Sequence, residues 1–175
     1  MSVYTIFNSQ SDIIDSLNQK KVLFIIGMEE ALEQWLYSAT HLPPEKMLVL
    51  VSHGPLISEP FDSLMRSVII AVAQENVEEI FVIGAINNNE FELVEKDLIS
   101  IVNNGKVPLA NKDYLSEFKE NDIFQWLKGS ETVTDSIKKS MDFIRQHPLM
   151  PSGVKVYGLS VDTVSGKLSS VVEYE

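Results

Sequence analysis

Three uninterrupted apolar runs constrain this chain more than any other feature. Residues 21–27 read Lys-Val-Leu-Phe-Ile-Ile-Gly, residues 46–51 Lys-Met-Leu-Val-Leu-Val, and residues 79–84 Glu-Ile-Phe-Val-Ile-Gly. Runs without polar alternation suit strands buried on both faces, as in a parallel sheet. Parallel strands need crossovers, and helix-period segments lie between these runs. Residues 29–37 place Ala31, Leu32, Trp35 and Leu36 at helical spacing, and Pro43-Pro44 separates them from the second run. Residues 61–76 carry Phe61, Leu64, Met65, Val68, Ile69, Val72 and Ala73 on one helical face. Pro60 suits the first turn of that helix, and Glu59 adds charge near its positive end. Strands alternating with helices predict an α/β domain with a mostly parallel sheet.

The second half continues the pattern. Residues 91–104 read as a helix with Phe91, Val94, Leu98, Ile101 and Val102 on one side, ended by Asn103-Asn104-Gly105. Residues 106–129 read as short helical pieces and loops around Tyr114, Phe118, Phe124 and Trp126. Ser130 is the expected N-cap of a helix over 131–146, whose stripe is Val133, Ile137, Met141 and Ile144. Residues 154–159 and 168–172 read as two further strands. The turn-rich Asp162-Thr163-Val164-Ser165-Gly166 between them predicts a hairpin. No linker or repeat divides the chain, so one domain over 1–175 is expected, with residues 1–20 as an N-terminal helical arm.

Composition excludes several functions. With 14 basic and 25 acidic side chains the net charge is −11, which argues against nucleic-acid or anionic-membrane binding. No apolar run approaches the ~20 residues of a membrane span. The start shows no basic, apolar leader, which predicts a cytoplasmic protein. There is no cysteine, which excludes disulfides, thiol catalysis and Cys-based metal centres. Gly27 and Gly84 belong to no phosphate-loop motif.

Several short motifs resemble the compact type of β-class carbonic anhydrase. His147-Pro148-Leu149-Met150-Pro151, then Val156 to Asp162, then Thr163 to Leu168, are similar to that family's C-terminal signature. Ser52-His53-Gly54 stands where the family has Asn-Ala-Gly, and Phe81-Val82-Ile83-Gly84 where a strand leads into its second metal motif. The resemblance implies a three-layer fold, strand order 2-1-3-4 with a fifth strand at the edge. It also implies a homodimer in which the N-terminal arm packs on the partner.

The same resemblance implies zinc held by a Cys of C-x-D-x-R and by His and Cys of H-x-x-C, with a bound water made acidic enough to attack CO2. In this chain Gly27-Met28-Glu29-Glu30-Ala31 stands at the first motif and Ala85-Ile86-Asn87-Asn88 at the second. The three ligand positions are thus Gly27, Ala85 and Asn88. Gly and Ala offer no side-chain donor, and a neutral amide is a poor zinc ligand. Glu29 keeps a carboxylate, but Ala31 replaces the Arg that would orient it. The expectation is a degenerate site without zinc, a pseudoenzyme with respect to zinc-dependent CO2 hydration.

The strand ends still gather polar groups, because open α/β sheets bind ligands at the carboxyl ends of their strands. Glu29, Glu30, Ser52, His53, Asn87 and Asn88 are the candidate ligand-binding residues, with Glu29 and His53 the candidate acid–base groups. The plainer reading is a decayed pocket whose Glu and Asn residues cap helices and turns. His53 then ends a strand and finds a local hydrogen bond. His41 and His147 read as structural or surface groups, and Trp35 and Trp126 as core or interface aromatics. Three functions follow: a binding or interaction protein in CO2/bicarbonate handling, a zinc-independent enzyme using Glu29 or His53, or an accessory subunit of an inorganic-carbon system.

Overall fold

A computed structural model describes residues 21–40, 42–86, 97, 100, 101, 104, 126, 127, 129, 130 and 132–171. The apolar runs form the strands β1 (Lys21–Gly27), β2 (Met47–Ser52) and β3 (Val77–Ala85), and the later segments form β4 (Lys155–Asp162) and β5 (Lys167–Ser170). The sheet order is β2-β1-β3-β4-β5. Pairing is parallel from β2 through β4, and β5 returns antiparallel to β4 through the expected hairpin. The hairpin is fixed by Asp162, whose Oδ1 accepts from the backbone N–H groups of Val164 and Ser165, both at 3.0 Å.

Helices cover both faces, giving three layers. On one face α2 (Ser63–Glu75) and α3 (Val133–Gln146) bury Met65, Val68, Ile137, Met141 and Ile144 against Leu23, Ile25, Ile80 and Val82. On the other, α1 (Glu30–Ala39) buries Leu32 and Leu36 against Val22, Phe24, Ile26, Phe81 and Ile83. Adjacent strands bring Phe24, Phe81 and Tyr157 into one cross-strand row, with ring centroids 5.5 and 4.9 Å apart. Val22 to Ile26 are fully buried, as a strand covered on both faces requires.

Two helix starts differ from the sequence expectation. Asp62, not the Glu59-Pro60 pair, begins α2. Its Oδ1 accepts from Met65 N at 2.7 Å, and its Oδ2 accepts from Ser58 N at 2.9 Å and Ser58 Oγ at 3.1 Å. One carboxylate thus caps the helix and ties down the preceding turn. Phe61 is left ahead of the helix, 82% exposed, rather than in its apolar stripe. Thr132, not Ser130, caps α3: its Oγ1 accepts from Asp135 N at 3.1 Å and donates to Asp135 Oδ2 at 2.7 Å. Ser130 lacks an acidic partner three residues on, so the reciprocal pairing favours Thr132. Lys46 closes a short 3-10 turn, Pro44–Lys46, and does not begin β2. The N-terminal arm, His41 and nearly all of 87–125 lie outside the described residues, as do the expectations that fall on them.

Ser140 connects α3 to the loop after β2. Its fully buried Oγ accepts from Ile57 N at 2.8 Å and donates to Pro55 O at 2.7 Å. Ser140→Ala leaves both backbone groups buried without partners, so it should lower unfolding free energy by about 1–3 kcal/mol. Urea denaturation measures this. A cost indistinguishable from zero would mean that water or rearrangement replaces both bonds.

Candidate functional site at the carboxyl ends of the strands

The register aligns Gly27 with Ser52 and Ile26 with Ile83, so the residues following β1, β2 and β3 collect at one end of the sheet. Glu29 occupies the N-cap position of α1 with extended backbone, φ −66° and ψ 119°. Its carbonyl accepts from Leu32 N at 3.0 Å and Glu33 N at 3.1 Å. Its side chain makes no capping bond. The capping role expected for a carboxyl here is therefore not the one this Glu performs.

The Glu29 side chain instead folds back over Gly27. A Cβ placed on Gly27 would clash with Glu29 Oε2 and lie 2.6 Å from the carboxyl carbon. Glu29 is buried, 5% exposed, and its Oε2 has no hydrogen-bond partner. An unsatisfied buried oxygen costs about 1–3 kcal/mol, so this placement opposes stability. Burial pushes the Glu29 carboxyl above its ordinary value of 4.5, while its own backbone N–H and the charge of His53 pull less strongly the other way.

His53 is exposed just beyond β2, near enough for its charge to act on Glu29. The two candidate acid–base groups thus lie within electrostatic reach of each other. Ser52 and Glu30 are engaged locally. Ser52 Oγ donates to Gly54 O at 2.6 Å, and Glu30 Oε1 accepts from Gln34 Nε2 at 2.8 Å along α1. Asn87 and Asn88 lie outside the described residues.

Among the aromatic and histidine assignments, Trp35 packs on the α1 face of the core, whereas Trp126 is 69% exposed and is no core residue. His147 is buried rather than superficial. Its Nδ1 accepts from Leu149 N at 3.2 Å and its ring meets the Phe61 ring edge at 5.5 Å. Sequence reasoning passed over Ser140, which supports the loop carrying His53. The available signal was a hydroxyl on the apolar stripe of α3, between Ile137 and Ile144.

A zinc centre of the expected kind does not fit these residues. Gly27 and Ala85 carry no donor atom, and the space above Gly27 already holds the Glu29 carboxyl. Among the described residues no three His, Cys, Asp or Glu side chains are grouped to hold a metal ion.

Comparison with known proteins places this architecture. The chain is 42% identical over 160 residues to YbcF of Bacillus subtilis, provisionally named carbonic anhydrase-like, covering 88% of this chain and 89% of the relative. YtiB of the same organism, provisionally named a carbonic anhydrase, is 31% identical over 153 residues, covering 87% and 81%. Among solved structures, the β-carbonic anhydrase isoform I of Trichomonas vaginalis superposes with a TM-score of 0.72 at 20% identity, covering 94% of this chain and 98% of that one. A tetrameric β-carbonic anhydrase of Sordaria macrospora gives 0.53 at 15% identity, covering 87% and 80%. No protein-family model matches the chain. The chain belongs to the β-carbonic anhydrase family, as a divergent member.

The raised Glu29 carboxyl predicts a pH dependence. Between 4.5 and its folded value, the folded protein holds a proton that the unfolded chain releases. Stability therefore falls as pH rises through that window, and the penalty is complete once pH exceeds the folded value. Glu29→Gln removes this titration. Its stability relative to wild type should rise in urea denaturation as pH climbs from 4.5 to the folded value, and level off above it. A difference that does not change with pH would contradict the buried placement.

Proposed function

We propose that this protein is a member of the β-carbonic anhydrase family that binds no zinc and has given up zinc-dependent CO2 hydration. It acts in CO2/bicarbonate handling as a binding or interaction protein, as a cytoplasmic homodimer. The observation that carries this reading is the Glu29 carboxyl over Gly27, at a position where the family resemblance calls for a metal-binding side chain. Zinc needs three protein donors to leave one open position for water, and the residues at two of the three positions supply none.

Self-association is supported by the sheet edge and by exposed apolar groups near the strand ends. The outer strand β2 is only half-buried. Met28, Val51 and Ile86 are 56%, 47% and 48% exposed. Unpaired strand edges and apolar patches of this sort are covered in oligomers. No helix among the described residues is long and apolar enough to cross a membrane.

A second reading rests on the electrostatic influence of His53 on Glu29. A carboxyl raised by burial and within electrostatic reach of an imidazole is a workable acid–base group for a small electrophile such as CO2. Within this reading no metal takes part, and Glu29 would exchange a proton with substrate water.

One experiment separates these readings. Purified protein is analysed for zinc and assayed for CO2 hydration by stopped flow. The first reading predicts substoichiometric zinc and no rate above the uncatalysed reaction. Stoichiometric zinc with fast hydration overturns it. Zinc-free turnover that disappears in Glu29→Gln or His53→Ala selects the second reading.

A further inference from the structure

The described glycines differ in what occupies the space of their missing side chain. Above Gly84 lie Val133, Pro55 and Ile137, and above Gly158 lie Met141 and Ile137. These occupants are apolar, and all but Pro55 belong to helix α3, which packs closely on the sheet where a side chain is missing. Above Gly27 the occupant is a carboxyl group, with its carbon 2.6 Å and its Oε1 2.8 Å from the position a Cβ would take. That carboxyl comes from a residue only two positions along the chain, at the start of α1.

Chain geometry explains how this arises. β1 ends at Gly27, and Glu29 has extended backbone before the first turn of α1. A carboxyl at an N-cap position ordinarily bonds the free N–H groups of the first helical turn. Here it makes no such bond and leaves Oε2 buried and unpartnered. The side chain has exchanged a favourable, exposed capping role for an unfavourable, buried one. The space above Gly27 is what makes that placement possible, since any side chain on residue 27 would collide with it. Glutamate also has the reach for it: aspartate is one methylene shorter.

We infer that Glu29 is the plug of the recess above Gly27, so that residue 27 can carry a side chain only when the Glu29 carboxyl is expelled to solvent. Positions 27 and 29 therefore form one coupled unit. The missing side chain at 27 and the carboxyl at 29 are complementary features of this chain. The recess is closed from within, by the protein's own acid. This holds under either functional reading, because it concerns what fills the recess and not what reaction follows. Glu29 is a positioning residue here, acting on the shape of the site.

The test is carboxyl footprinting on the intact, folded protein. Carbodiimide coupling of an amine to accessible carboxyl groups is followed by mass spectrometry, with exposed Glu30 as the internal reference. In wild type, Glu29 should label roughly tenfold more slowly than Glu30, because its reaction requires local opening. In Gly27→Ala the added methyl expels the carboxyl, and Glu29 should label at the rate of Glu30. Equal labelling of Glu29 and Glu30 in wild type, or unchanged protection of Glu29 in folded Gly27→Ala, overturns the inference.

A stability cycle keeps the claim testable if Gly27→Ala does not fold. Glu29→Ala empties the recess, so Gly27→Ala in that background has room for its methyl group. The double variant should fold, and the effects of the two substitutions should be non-additive. A double variant that fails like the single one, or strictly additive effects, overturns the inference. The glutamate-to-alanine change also removes a group tied to acid–base chemistry, so the cycle is read from unfolding alone and not from activity.

Discussion

β1 lies between β2 and β3 with helices packed on both sides, and its residues from Val22 to Ile26 are inaccessible to water. This double burial governs the rest of the molecule. It demands apolar side chains on both faces, so the strand reads as a continuous run rather than an alternating one. It pins the register of β2 and β3, because a slip by one residue would move every side chain to the wrong face. Through that register it sets Gly27, Ser52 and Ala85 at the same end of the sheet. The row of Phe24, Phe81 and Tyr157 locks the central strands on the α1 side, and the aliphatic cluster under α2 and α3 locks them on the other.

That rigid platform makes the site's composition consequential. Backbone at the end of β1 cannot move aside to accommodate a new group without disturbing a fully buried strand. What occupies the space above Gly27 is then decided by side chains alone. A short residue at 27 and a long acid at 29 satisfy the volume, though not the hydrogen bonding, of that space. Proteins commonly tolerate such costs at functional sites and offset them elsewhere. Here the core beneath is apolar and close-packed, and the loop bearing His53 is held by the buried hydroxyl of Ser140.

The strands and a mostly parallel sheet were legible in the chain, because both-face burial writes itself as uninterrupted runs such as 21–27 and 79–84; the three layers and the strand order came only from the family resemblance, which the sheet order bears out. The helix starts were less legible. Asp62 and Thr132 win their capping positions through specific pairings, with the Ser58 turn and with Asp135, that a propensity for Ser or Pro does not reveal. Phe61 counted as part of a helical stripe by spacing, yet spacing is silent on where the helix begins. At the site, the absence of donors at 27 and 85 was plain from residue identity. The pairing of Gly27 with Glu29 was not, because it depends on the side chain folding backward across the chain's own path. Nor was the electrostatic reach of His53 to Glu29, which depends on the parallel pairing of β1 with β2.

A glutamate carboxyl stands where the family resemblance calls for a metal-binding side chain. Crystals grown in the presence of zinc, with diffraction recorded on both sides of the zinc absorption edge, test this directly. The expected result is the Glu29 carboxyl over Gly27 and no anomalous peak at the carboxyl ends of β1 and β3. An anomalous peak at that position, with Glu29 displaced or coordinating it, would contradict it.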